Sequence, residues 1–477
     1  MNVCPKRCSC CWGLLLLLLW SPLTFAGDAP LAGDPFAEDS APEGLAQGAE
    51  ASADRQSSNR IWSSFVQKGW LESRNQLRLR DGRAISTRQR LWLEGGYNFR
   101  TASTPGGAGA RPDITPSLFL SGRLDADMAA ASFSDDVNDV SAALQEAYCT
   151  VDGQYADFFV GRKMVRWGTG DGINPLDLIN PQDHRDPFSS GRSDNRLPVF
   201  LGQAAFSLPA VGPFEALSLQ AVLVPLAQVT KVPGPGSPWE TPSIRHIRQA
   251  AAEGRFALEE QDLPSSWFND GKYMAHLSTT LHGWDLGLAA FSGPRNSPVL
   301  ASMPDAAGRP VVRPQSPDMG AVGLNFAKGL EQSTLRGELG LKPAYPLQVR
   351  GRPDFERSDI LEGVIGLDRT FSLNRYLNLQ YYTTHIQDAG KLGQSCWAHG
   401  MTYEISDQFL QDDLKLGVSG IVGFSGQGWT LQPYAEYKFG DDWLLAFSIM
   451  LFGGNGSGAY GQYGDSDFAT LRIRRTF

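Results

Sequence analysis

Seven arginines between residues 74 and 166 are spaced to share a face. Arg74 and Arg78, Arg88 and Arg90, and Arg162 and Arg166 are each separated by an even interval, and Arg123 stands between these pairs. In an extended backbone, side chains alternate with period two, so each pair would project to one side. Glu72, Glu94, Asp125 and Asp127 fall on the same faces. On the wall of a water-filled passage, guanidinium groups opposite carboxylates set up a transverse field that orients polar solutes. The same charges could instead pair with one another and hold a narrow or plugged interior together. Residue types alone leave both readings open.

A second set lies in "GRKMVRWGTGDGINPLDLINPQDHRDPF", Gly161 to Phe188. It begins as a strand, Phe158 to Trp167, with Arg162 and Arg166 read on its inward face. Gly168, Gly170 and Gly172 then release the backbone, and Pro175 and Pro181 bar a hydrogen-bonded ladder. Two Asn-Pro steps, Asn174-Pro175 and Asn180-Pro181, favour turns. Ile173, Leu176, Leu178 and Ile179 are a set that a wholly exposed loop has little use for. The expectation is a constriction loop folded into an interior, with Asp171, Asp177, Asp183, Arg185 and Asp186 as pore-facing charges. The alternative is a compact external loop. The later segment Ala227 to Gly271 reads as a solvated loop carrying a short amphipathic helix.

Catalytic chemistry finds little to work with. The histidines are His184, His246, His276, His282, His385 and His399; none sits in H-E-x-x-H or near G-x-S-x-G. Cys4, Cys8, Cys10 and Cys11 precede the first apolar run, leaving Cys149 and Cys396, as one disulfide or two free thiols. No zinc spacing exists, and the Asp/Asn run at 171–186 lacks the EF-hand order. The sequence implies no enzyme, no metal and no cofactor. A formal net charge of −9 excludes nucleic acid as the expected partner.

The elements that position these residues are strands. Lys6 and Arg7 precede "WGLLLLLLW" and a small-residue exit at Ala26, the pattern of a signal peptide over 1–26. Residues 27–59 are acidic and poor in large apolar residues, as expected of a disordered leader. From residue 60 to 477, period-2 alternation recurs in segments of about ten residues. Eighteen are expected, within a range of 16–20: 65–79, 88–100, 116–127, 141–152, 157–167, 199–208, 215–226, 272–282, 284–292, 318–328, 333–342, 359–371, 375–386, 397–406, 413–424, 429–439, 443–452 and 467–477. Tight turns after even-numbered strands alternate with long loops after odd ones, except for the long connection 101–115. That asymmetry is how outer-membrane barrels are built, with the short turns in the periplasm. Aromatics at Trp429 and Phe439, Trp443 and Phe452, and Phe468 and Phe477 suggest girdles at the two interfaces.

The terminal "FATLRIRRTF" resembles the last strand of Gram-negative outer-membrane proteins. That resemblance implies recognition by the barrel-assembly machinery through Phe477, although Arg475 departs from its apolar row. The block from Gly161-Arg162 through Trp167-Gly168 to Asn174-Pro175 resembles one in families of Gram-negative outer-membrane barrels that include porin-like members, and alginate-export-like barrels are similar in strand count and in the Gly-Arg strand end. The reading is an all-β, transmembrane, antiparallel up-and-down β-barrel in a Gram-negative outer membrane. Its partners would be membrane lipid, lipopolysaccharide and a small polar or anionic solute, with a homo-oligomer left open. The function expected is a porin-like channel. Alternatives are an export channel for an acidic exopolysaccharide, a plugged structural or adhesive barrel, and an outer-membrane enzyme.

Overall fold

The computed structural model describes residues 65–99, 115–127, 129, 140–170, 173–188, 195–371 and 374–477. The signal peptide, the acidic leader, Asp171 and most of the 101–115 connection lie outside these residues.

The strands in chain order are β1 (Phe65–Arg78), β2 (Ala84–Asn98), β3 (Thr115–Ala126), β4 (Val140–Asp152), β5 (Ala156–Lys163), β6 (Val199–Ser207) and β7 (Phe214–Val224). There follow β8 (Ala257–Leu258), β9 (Lys272–Leu281), β10 (Trp284–Pro294), β11 (Val299–Pro304), β12 (Pro310–Gln315), β13 (Asp318–Leu330) and β14 (Ser333–Gln348). The last are β15 (Phe355–Phe371), β16 (Arg375–Ile386), β17 (Trp397–Phe409), β18 (Leu414–Gly423), β19 (Gly428–Phe439), β20 (Trp443–Gly453) and β21 (Phe468–Thr476). Eighteen of them form one antiparallel sheet, and β1 pairs with both β2 and β21, so the sheet closes. Closure satisfies the backbone without an edge, the condition for a sheet to stand in lipid. The other three, β8, β11 and β12, form a small separate sheet from the loops after β7 and β10.

All eighteen expected strands are present. β14 and β15 run past a bulge at Lys342/Tyr345 into a taller hairpin than the periodicity suggested. β5 is shorter, ending at Lys163 rather than Trp167. The tight turns are true hairpins: His282 and Gly283 both have positive φ between paired Leu281 and Trp284, as a two-residue primed turn requires.

The faces are inverted relative to a water-soluble protein. Leu71 and Leu93 are each 51% exposed, whereas Arg74 and Gln76 on the opposite face of β1 are 1% and 0% exposed. The outward apolar row continues around the wall through Leu124, Leu144, Val160, Leu288, Leu324, Leu339, Ile365 and Leu471. So large a continuous apolar exterior is stable only against lipid. Phe439 and Trp443 stack on that exterior at the short-turn end, with Arg475 over the Trp443 ring. A lipid-facing arginine near a strand end can thus keep its charge at the interface.

The girdle expectation needs correction at two positions. Phe452 and Phe468 are buried inside the barrel. Trp443 and Phe452, like Phe468 and Phe477, are nine residues apart, and an odd interval places the ends of a strand on opposite faces. Cys149 and Cys396 are both free.

Candidate functional site

β5 ends at Lys163, just past a distorted glycine, Gly161. Its φ of 144° is one that other residues rarely adopt, and a Cβ there would lie 2.3 Å from the Ala147 carbonyl oxygen. The described residues that follow, 164–170, 173–188 and 195–198, turn inward and are bracketed by their own asparagines. The Val165 N–H donates to Asn180 Oδ1 (2.8 Å), and Asn180 Nδ2 donates to the Leu197 carbonyl (2.8 Å), tying both limbs together. Asn174 Nδ2 donates to the Trp167 carbonyl (2.6 Å). Each Asn-Pro step therefore supplies a buried amide that satisfies loop backbone, while the proline needs no partner for a missing N–H.

On one side the loop is held by β14. Glu338, 3% exposed, accepts backbone N–H groups from Thr169, Gly170 (2.6 Å) and Leu176 (3.3 Å). Arg336 donates to the Thr169 carbonyl (3.3 Å), and Gln380 on β16 donates to that of Ile173 (3.3 Å). Leu176 fills the hollow at Gly323, where a Cβ would stand 2.2 Å from its Cδ2. Glu338 is five residues above the start of β14, so the loop descends to roughly 12 Å above the turn, at about 3.3 Å per residue and about 45° tilt. On the other side, Arg74 of β1 pairs with Asp186 (2.7 Å), and Phe188 packs among Trp239, Phe452 and Tyr463. The loop therefore spans the interior from β14 to β1.

The inner wall is not polar throughout. Val165, Trp167, Leu176 and Ile179 pack against Val199, Leu201, Val222, Met274, Phe291 and Met319, inward residues of β6 to β13. The segment 227–271 is likewise more than a solvated loop. Its helix, Pro242–Ala252, is capped by Thr241 and buries no residue, as an amphipathic surface helix would, but Trp239 just before it is 2% exposed.

The arginines selected from sequence are brought together and mostly neutralised. Arg88 and Arg474 both reach Glu72 (3.2 and 2.7 Å). Arg90 and Arg123 both reach Asp125 (2.6 and 3.3 Å). Arg78 clasps Asp81 in the adjoining turn, and Asp127 accepts from Ser86. Glu94 accepts from the Trp92 indole (3.1 Å). Arg162 is a correction: it shares the outward row with Phe158 and Val160, an even interval away. Its guanidinium donates to the Leu144 carbonyl (3.1 Å), on a stretch of β4 that β5 no longer covers. Arg166 lies beyond the end of β5 and donates to the Gly170 carbonyl (3.3 Å).

Within the loop, Asp177 pairs with Arg196 (2.5 Å) and Asp183 with Arg185 (2.6 Å). Burial alone would raise the Asp183 carboxyl, but hydrogen bonds to Arg185 and the charges of Arg185 and Lys231 hold it below its ordinary value. Burial pushes the neighbouring His184 down to about 4. Glu338 was visible only as one of the polar residues of an alternating strand; nothing local marks it as the loop's anchor. Below the loop lies a cavity of about 840 Å³, lined by Thr169, Thr334, Arg336, Asp368, Thr370 and Tyr376 among others.

A closed barrel with a lipid-facing exterior and a loop crossing its interior defines an outer-membrane β-barrel of porin-like build. No family model matches the chain, and no curated protein matches it. Among solved structures, Acinetobacter baumannii OccAB3 aligns at 12% identity over 87% of this chain and 99% of that one, with a TM-score of 0.47. Pseudomonas aeruginosa OpdK with vanillate gives 12%, 87%, 98% and 0.46, and Salmonella typhi OmpF with daunomycin 10%, 87%, 97% and 0.45.

Proposed function

We propose that this protein is a diffusion channel for small polar solutes, anions included, constricted by the loop 164–198. The observation that carries the reading is the loop's attachment to opposite walls, at Glu338 and at Arg74, within the bilayer. A loop so held narrows the passage and sets its shape. The lumen arginines then act as paired dipoles rather than a bare cationic ladder, because Glu72, Asp125 and Asp186 face them. Export of a wide acidic polymer would call for an unobstructed cation-lined path. The convergence of Phe188, Trp239 and Tyr463 inside the mouth speaks against one.

The test is planar-bilayer conductance of the refolded chain, with the reversal potential under a salt gradient. A small, stable conductance with weak charge selectivity is expected. A folded barrel that never conducts would sink the proposal and favour a plugged structural barrel.

A further inference from the structure

The cavity beneath the loop has a lining that selects chemistry. Among its charges, Arg336 pairs with Asp368, which also accepts from the Tyr376 hydroxyl (2.9 Å) and from Asn378, and Glu331 in the turn between β13 and β14 adds a second carboxylate to the lining. Arg336 spends a further donor on the Thr169 carbonyl (3.3 Å). Arg369, also along the lining, holds its guanidinium over the Phe371 ring. The other polar groups that line the cavity are mainly hydroxyls and an amide, from Thr169, Gln332, Ser333, Thr334, Thr370 and Tyr376. Each hydroxyl both donates and accepts, and the amide offers two donors and an acceptor. A solute made of hydroxyl groups can match such a wall at many orientations. An anion would meet Arg336 only by displacing Asp368, and would then stand beside that carboxylate. The volume of about 840 Å³ falls within the roughly 300–1,000 Å³ usual for small-molecule sites.

We infer that this cavity is a binding site for a neutral polyhydroxylated solute, a sugar or polyol, on the periplasmic side of the constriction. The inference rests on the channel reading and deepens it by naming the solute class. Thr169 belongs both to the cavity and to the loop's attachment, so a solute held there sits against the constriction itself.

Saturation-transfer NMR on the detergent-refolded barrel tests the site without requiring an open channel. Sucrose serves as the neutral probe and sodium gluconate as the anionic one. Saturation of the sucrose signals is expected, weak or absent transfer to gluconate, and about tenfold weaker sucrose binding in the Thr334→Val/Thr370→Val double variant, the loss of one or two neutral hydrogen bonds. Should that variant misfold, Tyr376→Phe removes a single hydroxyl and should weaken binding in the same direction. Equal transfer to gluconate, no transfer to sucrose, or sucrose binding unchanged in the folded variant overturns the site. Bilayer recordings with sucrose on the periplasmic side separate the two claims. A conducting channel whose current ignores sucrose, together with no NMR transfer, removes the site and leaves the channel. Sucrose binding to a barrel that never conducts keeps the site and removes the channel.

Discussion

One carboxylate holds the turn of the loop. Glu338 replaces water for three backbone N–H groups at once, and hydrogen bonds to a charged acceptor contribute about 1.5–3 kcal/mol each. Glu338→Ala should therefore loosen the loop by several kcal/mol, raising single-channel conductance and adding flicker. Recordings indistinguishable from the parent would count against its anchoring role. Gly323 is the steric counterpart. A side chain there would occupy the space of Leu176, so Gly323→Leu should expel Leu176 and make the 173–180 segment cleavable by protease in the folded barrel.

As an element, the loop is a semi-independent unit docked on an apolar inner wall. Removing residues 170–186 takes away the Gly170 and Leu176 contacts with Glu338 and the contacts with Gln380 and Arg74, but leaves every wall strand in place. Conductance should rise severalfold while heat-resistant folding on a gel persists; unchanged conductance would place the constriction elsewhere. His184 gives the docking a pH dependence. Its imidazole is held down at about 4 in the docked loop, against about 6.5 when the loop is free. The free loop therefore binds the extra proton between those values. Docking is at full strength above about pH 6.5, weakens as pH falls toward 4, and levels off below it. Proteolysis of the loop should quicken over that window, and His184→Gln should flatten the profile.

For the whole molecule, stability is a matter of closure. The seam lies between β1 and β21, where the Phe477 backbone exchanges hydrogen bonds with Gly69 (2.9 and 3.0 Å) and its ring lies against Gly69 on the lipid face. A Cβ at Gly69 would stand 2.8 Å from that ring. Gly69→Leu should displace Phe477 and lower the urea midpoint of unfolding in lipid vesicles, at a cost of about 1–3 kcal/mol. An unaltered midpoint would mean that the ring adds nothing to closure once the barrel has formed.

The alternation of Leu71, Leu77 and Leu79 with Glu72, Arg74 and Gln76 already carries the sheet, its lipid-facing side and its polar interior. Period two is a local property of extended backbone, and eighteen such segments joined by tight turns leave closure in a membrane as the way to satisfy every strand edge. The inward course of the 164–198 loop was signalled by Ile173, Leu176, Leu178 and Ile179, which need cover somewhere. Its anchors were not legible. Glu338 and Gln380 look like ordinary inward polar residues, and Gly323 like any strand glycine, until a long stretch of intervening chain brings the loop against them. The pairing of the arginines was equally hidden, because Arg474 meets Glu72 only when the last strand closes on the first. Sequence by itself determined which residues of a strand share a face, since that depends on neighbours one and two positions away; Arg162, Phe452 and Phe468 take the other face from the one expected, at strand ends that alternation alone does not place. Only the tertiary structure decided which charges meet across the lumen, since that depends on strand register and closure around the whole barrel.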